Sequence, residues 1–182
     1  ILTPIRKRWW QMSDQIAHPP YVFEGQVRRS LVRDHHRVRQ LASGTVPTAL
    51  LGMRIEVHGR PMEIPLSRDL GRNIAIVGAG QGEPLVSSMA ASLASQNRDS
   101  QFIALDGLDH GEEGFAELSS YIRAQGNVFQ YLARNEIGPA IQDIYERLIS
   151  PGKNLPRSYF ILGYALDRCR SLPMEFEALC QE

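Results

Sequence analysis

The chain has 182 residues, 43% apolar and 22% charged, with 20 acidic and 20 basic side chains. These values suit one globular domain with a core, or a domain with an appendage; no apolar run is long enough for a membrane span, and no stretch is of low complexity. Two cysteines, Cys169 and Cys180, are too few for a disulfide framework or a cysteine metal site, so a reducing, cytoplasmic setting is the expectation.

Charge is unevenly spread. Residues 1–60 hold ten Arg/Lys against four Asp/Glu, a net of +6, and residues 61–182 hold ten against sixteen, a net of −6. Nearly every cation is arginine; Lys7 and Lys153 are the two lysines. A basic N-terminal part can touch nucleic acid, but docking on the acidic remainder or on a neighbouring subunit is the simpler expectation. The chain starts at Ile1 rather than at methionine, which reads as a segment of a longer protein. Arg6-Lys7-Arg8 gives no signal-peptide pattern.

Residues 1–49 read as a basic linking segment, partly helical and partly irregular. Trp9-Trp10 and Met12 lie in a short amphipathic stretch that stops before Pro19-Pro20, and Tyr21–Gly25 is a short extended piece. Arg33–Gly44 has helical spacing, with Val38 and Leu41 on one face. His35 and His36 are adjacent, so they point in different directions; without an acidic or cysteine partner at ligand spacing they read as solvated side chains. Arg54–Val57 and Met62–Leu66 alternate around His58-Gly59-Arg60-Pro61, which predicts a β-hairpin.

From Asn73 the pattern changes to strand, helix, strand, helix, strand, helix, strand. Strands are expected at Asn73–Gly78, Gln101–Gly107, Asn127–Leu132 and Ser158–Leu166, with helices at Pro84–Ser95, Phe115–Gln125 and Ile137–Ile149. Alternation of this kind predicts an α/β domain whose parallel strands are joined by right-handed helical crossovers. The strands are continuous apolar runs, as strands covered on both faces should be.

The segment NIAIVGAGQGEPL, Asn73 to Leu85, poses the chemical question. A phosphate loop needs G-x-x-x-x-G-K-[ST] between a strand and a helix: the glycines let backbone N–H groups turn onto the phosphates, the lysine meets the β and γ phosphates, and the hydroxyl holds magnesium. Gly78 fits the first glycine, but Glu83, Pro84 and Leu85 then stand where glycine, lysine and hydroxyl belong. A shift by one residue places Gly82 correctly and puts Glu83 at the lysine position, which reverses the charge. The dinucleotide pattern G-x-G-x-x-G matches at Gly78 and Gly80 and fails at Glu83, although Asp106 stands at the end of the second strand, where that pattern wants an acid. The acid that would position magnesium after a later strand is also missing: the strand in YFILGYALD runs to Gly163, and Asp167 falls beyond it. Pro84 suits the first turn of a helix. Asp106, Asp109, His110, Glu112 and Glu113 follow the second strand without the spacing of a calcium loop and read as a solvated acidic loop. Ser87-Ser88 lacks the surroundings of a nucleophile elbow.

The order of several stretches resembles the FtsK/SpoIIIE and HerA-like family of ATP-driven DNA translocases, and more closely a degenerate C-terminal ATPase-like module of large bacterial members. The matching stretches are YVFEGQ (Tyr21–Gln26), LLG (Leu50–Gly52), RDLGRNIAIVG (Arg68–Gly78), FIALDG (Phe102–Gly107) and YFILGYALDRCRSL (Tyr159–Leu172). The resemblance implies a RecA-like (P-loop NTPase-like) parallel sheet with helices on both faces, here a degenerate and incomplete domain over residues 50–182, preceded by a mixed helix/β-hairpin appendage. It also implies a non-catalytic structural or regulatory part in a ring. The partners would be other ATPase modules of the same chain or assembly, further copies of the chain, and DNA threaded through the parent assembly. ATP and magnesium belong to the active modules, so no cofactor is expected in this segment. Gly78, Gly80, Gln81, Gly82 and Glu83 are then a vestigial nucleotide site. Two alternatives stand beside this reading: a nucleotide-binding ATPase with an atypical loop, whose helix N-terminus still holds an anion, and a DNA-binding module that uses Arg28, Arg29, Arg33, Arg37 and Arg39.

Overall fold

A computed structural model of the chain describes residues 46–53, 61–67, 73–77, 82–149, 158–169 and 172–180. The expected N-terminal helix, the arginines at 28, 29, 33, 37 and 39, and loop residues Gly78, Gly80 and Gln81 lie outside the described residues. Within them the order is β1 (Thr48–Met53), β2 (Pro61–Pro65), α1 (Glu83–Gln96), β3 (Gln101–Asp106), a 3-10 turn (Glu112–Phe115), α2 (Ala116–Ala124), β4 (Val128–Ala133), α3 (Ile137–Ile149), β5 (Tyr159–Tyr164), a second 3-10 turn (Leu166–Arg168) and α4 (Met174–Leu179).

β3 is the centre of the molecule. It pairs in parallel with β4 on one side and β5 on the other, giving the order β4-β3-β5. Phe102, Ile103, Ala104 and Leu105 are all fully buried. Strand alternation sends Phe102 and Ala104 to one face with α1 and α2, and Ile103 and Leu105 to the other with α3 and α4. An apolar run without alternation is what such a doubly covered strand needs. The chain steps from β3 to β4 through α2, then back across β3 to β5 through α3. Right-handed crossovers in opposite directions place their helices on opposite faces, and α2 and α3 do lie on opposite faces. The expected α/β sheet with helices on both faces is therefore present, with three parallel strands, an arrangement compatible with a RecA-like core.

The two faces are packed differently. On the first, Phe102 stacks on Phe160 with ring centroids 4.7 Å apart, and Phe115 tilts against Phe129 and Tyr131 and meets Tyr164 edge-on. α1 covers this face with small residues: Ala90, Ala91 and Ala94 are fully buried. The helix is apolar nearly all round its C-terminal half because the hairpin lies on its other side, with Ala49 in the same cluster. On the second face α3 presents a conventional stripe, Ile137, Ile141 and Ile144. Leu148, one turn beyond Ile144, is exposed at the helix end.

Two expectations need correction. The hairpin forms, but its first strand is Thr48–Met53, upstream of Arg54–Val57, which lies outside the described residues; Pro61, expected in the turn, belongs to β2. Packing sets this register. Gln96 on α1 accepts from the Thr48 N–H at 2.9 Å and donates to its carbonyl at 2.7 Å, and the Leu50 N–H donates to Ser92 Oγ at 2.9 Å. Helix side chains thus take the place of a third strand along the free edge of β1. The second correction concerns Asn73–Gly78, expected as a buried strand, of which residues 73–77 are described. These residues have no sheet pairing. Val77 is 97% exposed and only Ile74 of the apolar residues here rests against the core. An apolar run this short is compatible with a strand, but a parallel strand also needs a ladder neighbour and cover on both sides. So the helix that should follow a phosphate loop is present, and the strand that should precede it is not formed.

Candidate functional site

Ligands of doubly wound sheets bind beyond the carboxyl ends of the strands, where neighbouring connections leave toward opposite faces. Here β3 leaves toward α2 on one face, while β4 and β5 leave toward α3 and α4 on the other. The N-terminus of α1 comes to the same edge: Glu83 reaches the loop after β3, and Ser87 Oγ lies 3.2 Å from the hydroxyl of Tyr164, the last residue of β5. Polar residues from α1, β3, β4 and β5 converge at this edge.

Asp106 is the anchor. It ends β3 and is fully buried. Its Oδ1 accepts from the Leu108 N–H at 2.9 Å; its Oδ2 accepts from the His110 N–H at 2.7 Å and from the Tyr131 hydroxyl at 3.1 Å. Burial alone would raise its pKa, but the Leu108 N–H, the Tyr131 hydroxyl and the His110 N–H, helped by the charge on His110, together hold it below the usual carboxylate value. Tyr131 shifts the other way: burial and its bond to the Asp106 carboxylate both favour the neutral phenol. Burial pushes Tyr164 up to about 12, against the opposing hydrogen bond from Ser87.

His110 sits between two carboxylates on two elements. Nδ1 is 3.4 Å from Asp106 Oδ1, and Nε2 is 3.4 Å from Glu83 Oε2. The ring meets Phe115 edge-on at 6.2 Å, and a methyl group on Gly114 would come within 2.9 Å of the His110 Cβ, so the histidine is boxed in from below. Beside it Arg134, just past β4, pairs with Asp109 at 2.8 Å and donates to the Gly107 carbonyl. Gly107 itself has no room for a side chain, since an added Cβ would lie 2.3 Å from the Ala165 carbonyl oxygen.

At α1 the amides of Leu85 and Val86 both donate to the Gly82 carbonyl, at 3.0 and 3.1 Å, and Gly82 supplies no side-chain cap. Glu83 opens the first turn, one residue before the expected start, and Pro84 sits in that turn as expected. Glu83 carries negative charge where a helix dipole favours it. The residues present do not fit a triphosphate here. Glu83 holds the favoured anion position, Pro84 removes one donor amide, and Asp106 adds a second carboxylate to the same cluster. Neither lysine of the chain, Lys7 or Lys153, falls among the described residues. Among those residues no group of three or more His, Cys, Asp or Glu could hold a metal ion.

Two functional readings change as a result. The acidic loop is not solvated throughout: Asp106 is buried and spent on its own loop, while Asp109, paired with Arg134, is exposed together with His110, Glu112 and Glu113. For the same reason Asp106 does not offer a free carboxylate to a ribose, as the dinucleotide pattern requires. Asp167 lies in the second 3-10 turn, outside β5. Of the five residues expected to form a vestigial nucleotide site, Gly82 and Glu83 are described and lie at the sheet edge. The sequence reading missed Tyr131 and Tyr164 and did not connect Glu83 with His110; the available signal was the four-residue spacing from Asp106 to His110 at a strand end.

No helix among the described residues is long and apolar enough to cross a membrane. No family model, no curated protein and no solved structure matches the chain.

Proposed function

We propose that the chain is a non-catalytic ATPase-like module of an ATP-driven translocase of the FtsK/HerA kind, with a structural or regulatory role in a larger ring assembly. Its partners in that reading are active ATPase modules and further copies of the chain. The doubly wound sheet is compatible with such a module, and α1 begins after a glycine-rich segment at the sheet edge where nucleotides bind in these folds. One observation carries the non-catalytic part of the reading: the Glu83 carboxylate stands in the first turn of α1 and is engaged by His110 Nε2 at 3.4 Å. The protein's own anion serves the helix end that a phosphate would otherwise serve.

The test is a coupled assay of the purified chain with magnesium and ATP at millimolar concentration. Hydrolysis stays at the buffer background. A turnover above background that scales with protein concentration and survives further purification overturns the proposal.

A further inference from the structure

We infer that His110 is a proton-operated latch that ties the first turn of α1 to the carboxyl end of β3. The inference rests on the geometry of the ring and not on the motor-module reading. Both ring nitrogens face a carboxylate oxygen, each at 3.4 Å: Nδ1 faces Asp106 on β3 and Nε2 faces Glu83 on α1. A neutral imidazole carries one N–H, so it can serve one carboxylate and must turn a lone pair toward the other. The imidazolium carries N–H on both nitrogens and serves both. The bridged arrangement therefore belongs to the protonated ring.

The surroundings keep this choice binary. Asp106 cannot swing away, because Leu108, the His110 amide and the Tyr131 hydroxyl of β4 hold its two oxygens. Among the described residues, the nearby charges Asp109 and Arg134, the latter just past β4, pair with each other at 2.8 Å. Phe115 at the ring edge and Gly114 against the Cβ limit where the imidazole can go. Glu83 is the mobile member, with a side chain 46% exposed. Loss of the proton frees Glu83, and with it the first turn of α1, while Asp106 and its loop stay in place. Because the bridged state binds the proton, the latch holds at low pH and releases as pH rises.

The Leu85 and Val86 amides report the state of that turn, since both donate to the Gly82 carbonyl. Hydrogen exchange of the whole chain, corrected for the intrinsic pH dependence of exchange and read without nucleotide, is the experiment. In the unaltered chain the protection of both amides falls about threefold between pH 5.5 and pH 8, the size expected of a half-exposed ion pair. Ile103, deep in β3, stays level over the same range. In Glu83→Gln, a surface change that leaves the core intact, protection of Leu85 and Val86 becomes level as well. Level protection in the unaltered chain, a pH dependence that persists in Glu83→Gln, or a parallel change at Ile103 would each overturn the latch.

Discussion

Asp106 offers the sharpest test of how the sheet edge is held together. Replacing it with alanine leaves three donors without their acceptor: the Leu108 and His110 amides and the Tyr131 hydroxyl. A hydrogen bond to a charged group contributes about 1.5–3 kcal/mol. His110 is exposed and water replaces part of its bond, while Tyr131 and Leu108 are half-buried and recover less. The expected loss for Asp106→Ala is therefore about 3–4 kcal/mol in urea unfolding at pH 7. Asp106→Asn keeps the shape and one acceptor oxygen, so about half of that loss is expected. The pH dependence has a definite sign. The folded-state pKa of Asp106 is lowered, so its contribution is present above the unfolded aspartate value of about 3.9 and disappears as pH falls through the lower folded value. The gap between the native chain and Asp106→Asn then closes as pH falls below about 4. A loss under about 1 kcal/mol for Asp106→Ala, or a gap that does not close in acid, refutes the reasoning.

Gly107→Ala is expected to destabilise the chain by about 3 kcal/mol in thermal unfolding, because the added methyl meets the backbone carbonyls of Ala165 and Tyr164, which cannot rotate out of the way. A cost near zero would mean that β3 and β5 separate more easily at their ends than their pairing implies. Ultraviolet titration of the tyrosines should show Tyr131 above the ordinary value and Tyr164 lagging to about pH 12. Burial raises its folded pKa, so the stability it contributes is complete below about 10, the ordinary tyrosine value, and is lost as pH rises toward the folded value; Tyr164→Phe removes the lagging phenol, and titration of all tyrosines near 10 in the native chain contradicts the burial.

Much of the architecture could be read directly. From Gln101 onward, apolar runs bounded by polar turns identify three strands, and the isoleucines at 137, 141 and 144 identify the helix between the last two. These patterns are local consequences of burial on two faces or on one stripe. What could not be read depends on partners distant in the chain. The register of the hairpin is set by Ser92 and Gln96 on α1. Asn127, at 5% exposure, ties the carbonyls of Ala94 and Asn97 to the Ser100 amide, a link between α1 and β3 that no periodicity announces. Ile74, Ile76 and Val77 look like a strand, but nothing in those residues tells whether a ladder neighbour exists. At the site, Glu83 was legible as a misfit to the phosphate-loop pattern. Its role opposite His110 was not, because the two are brought together only by the return of α1 to the carboxyl end of β3.

The central claim is that the anion position at the start of α1 is held by Glu83 and not by a nucleotide. Calorimetric titration of the purified chain with magnesium and ATP tests it most directly. The account predicts no saturable heat up to millimolar nucleotide. Saturable binding with a dissociation constant below about 100 µM, equivalent to about 5.5 kcal/mol, would contradict it.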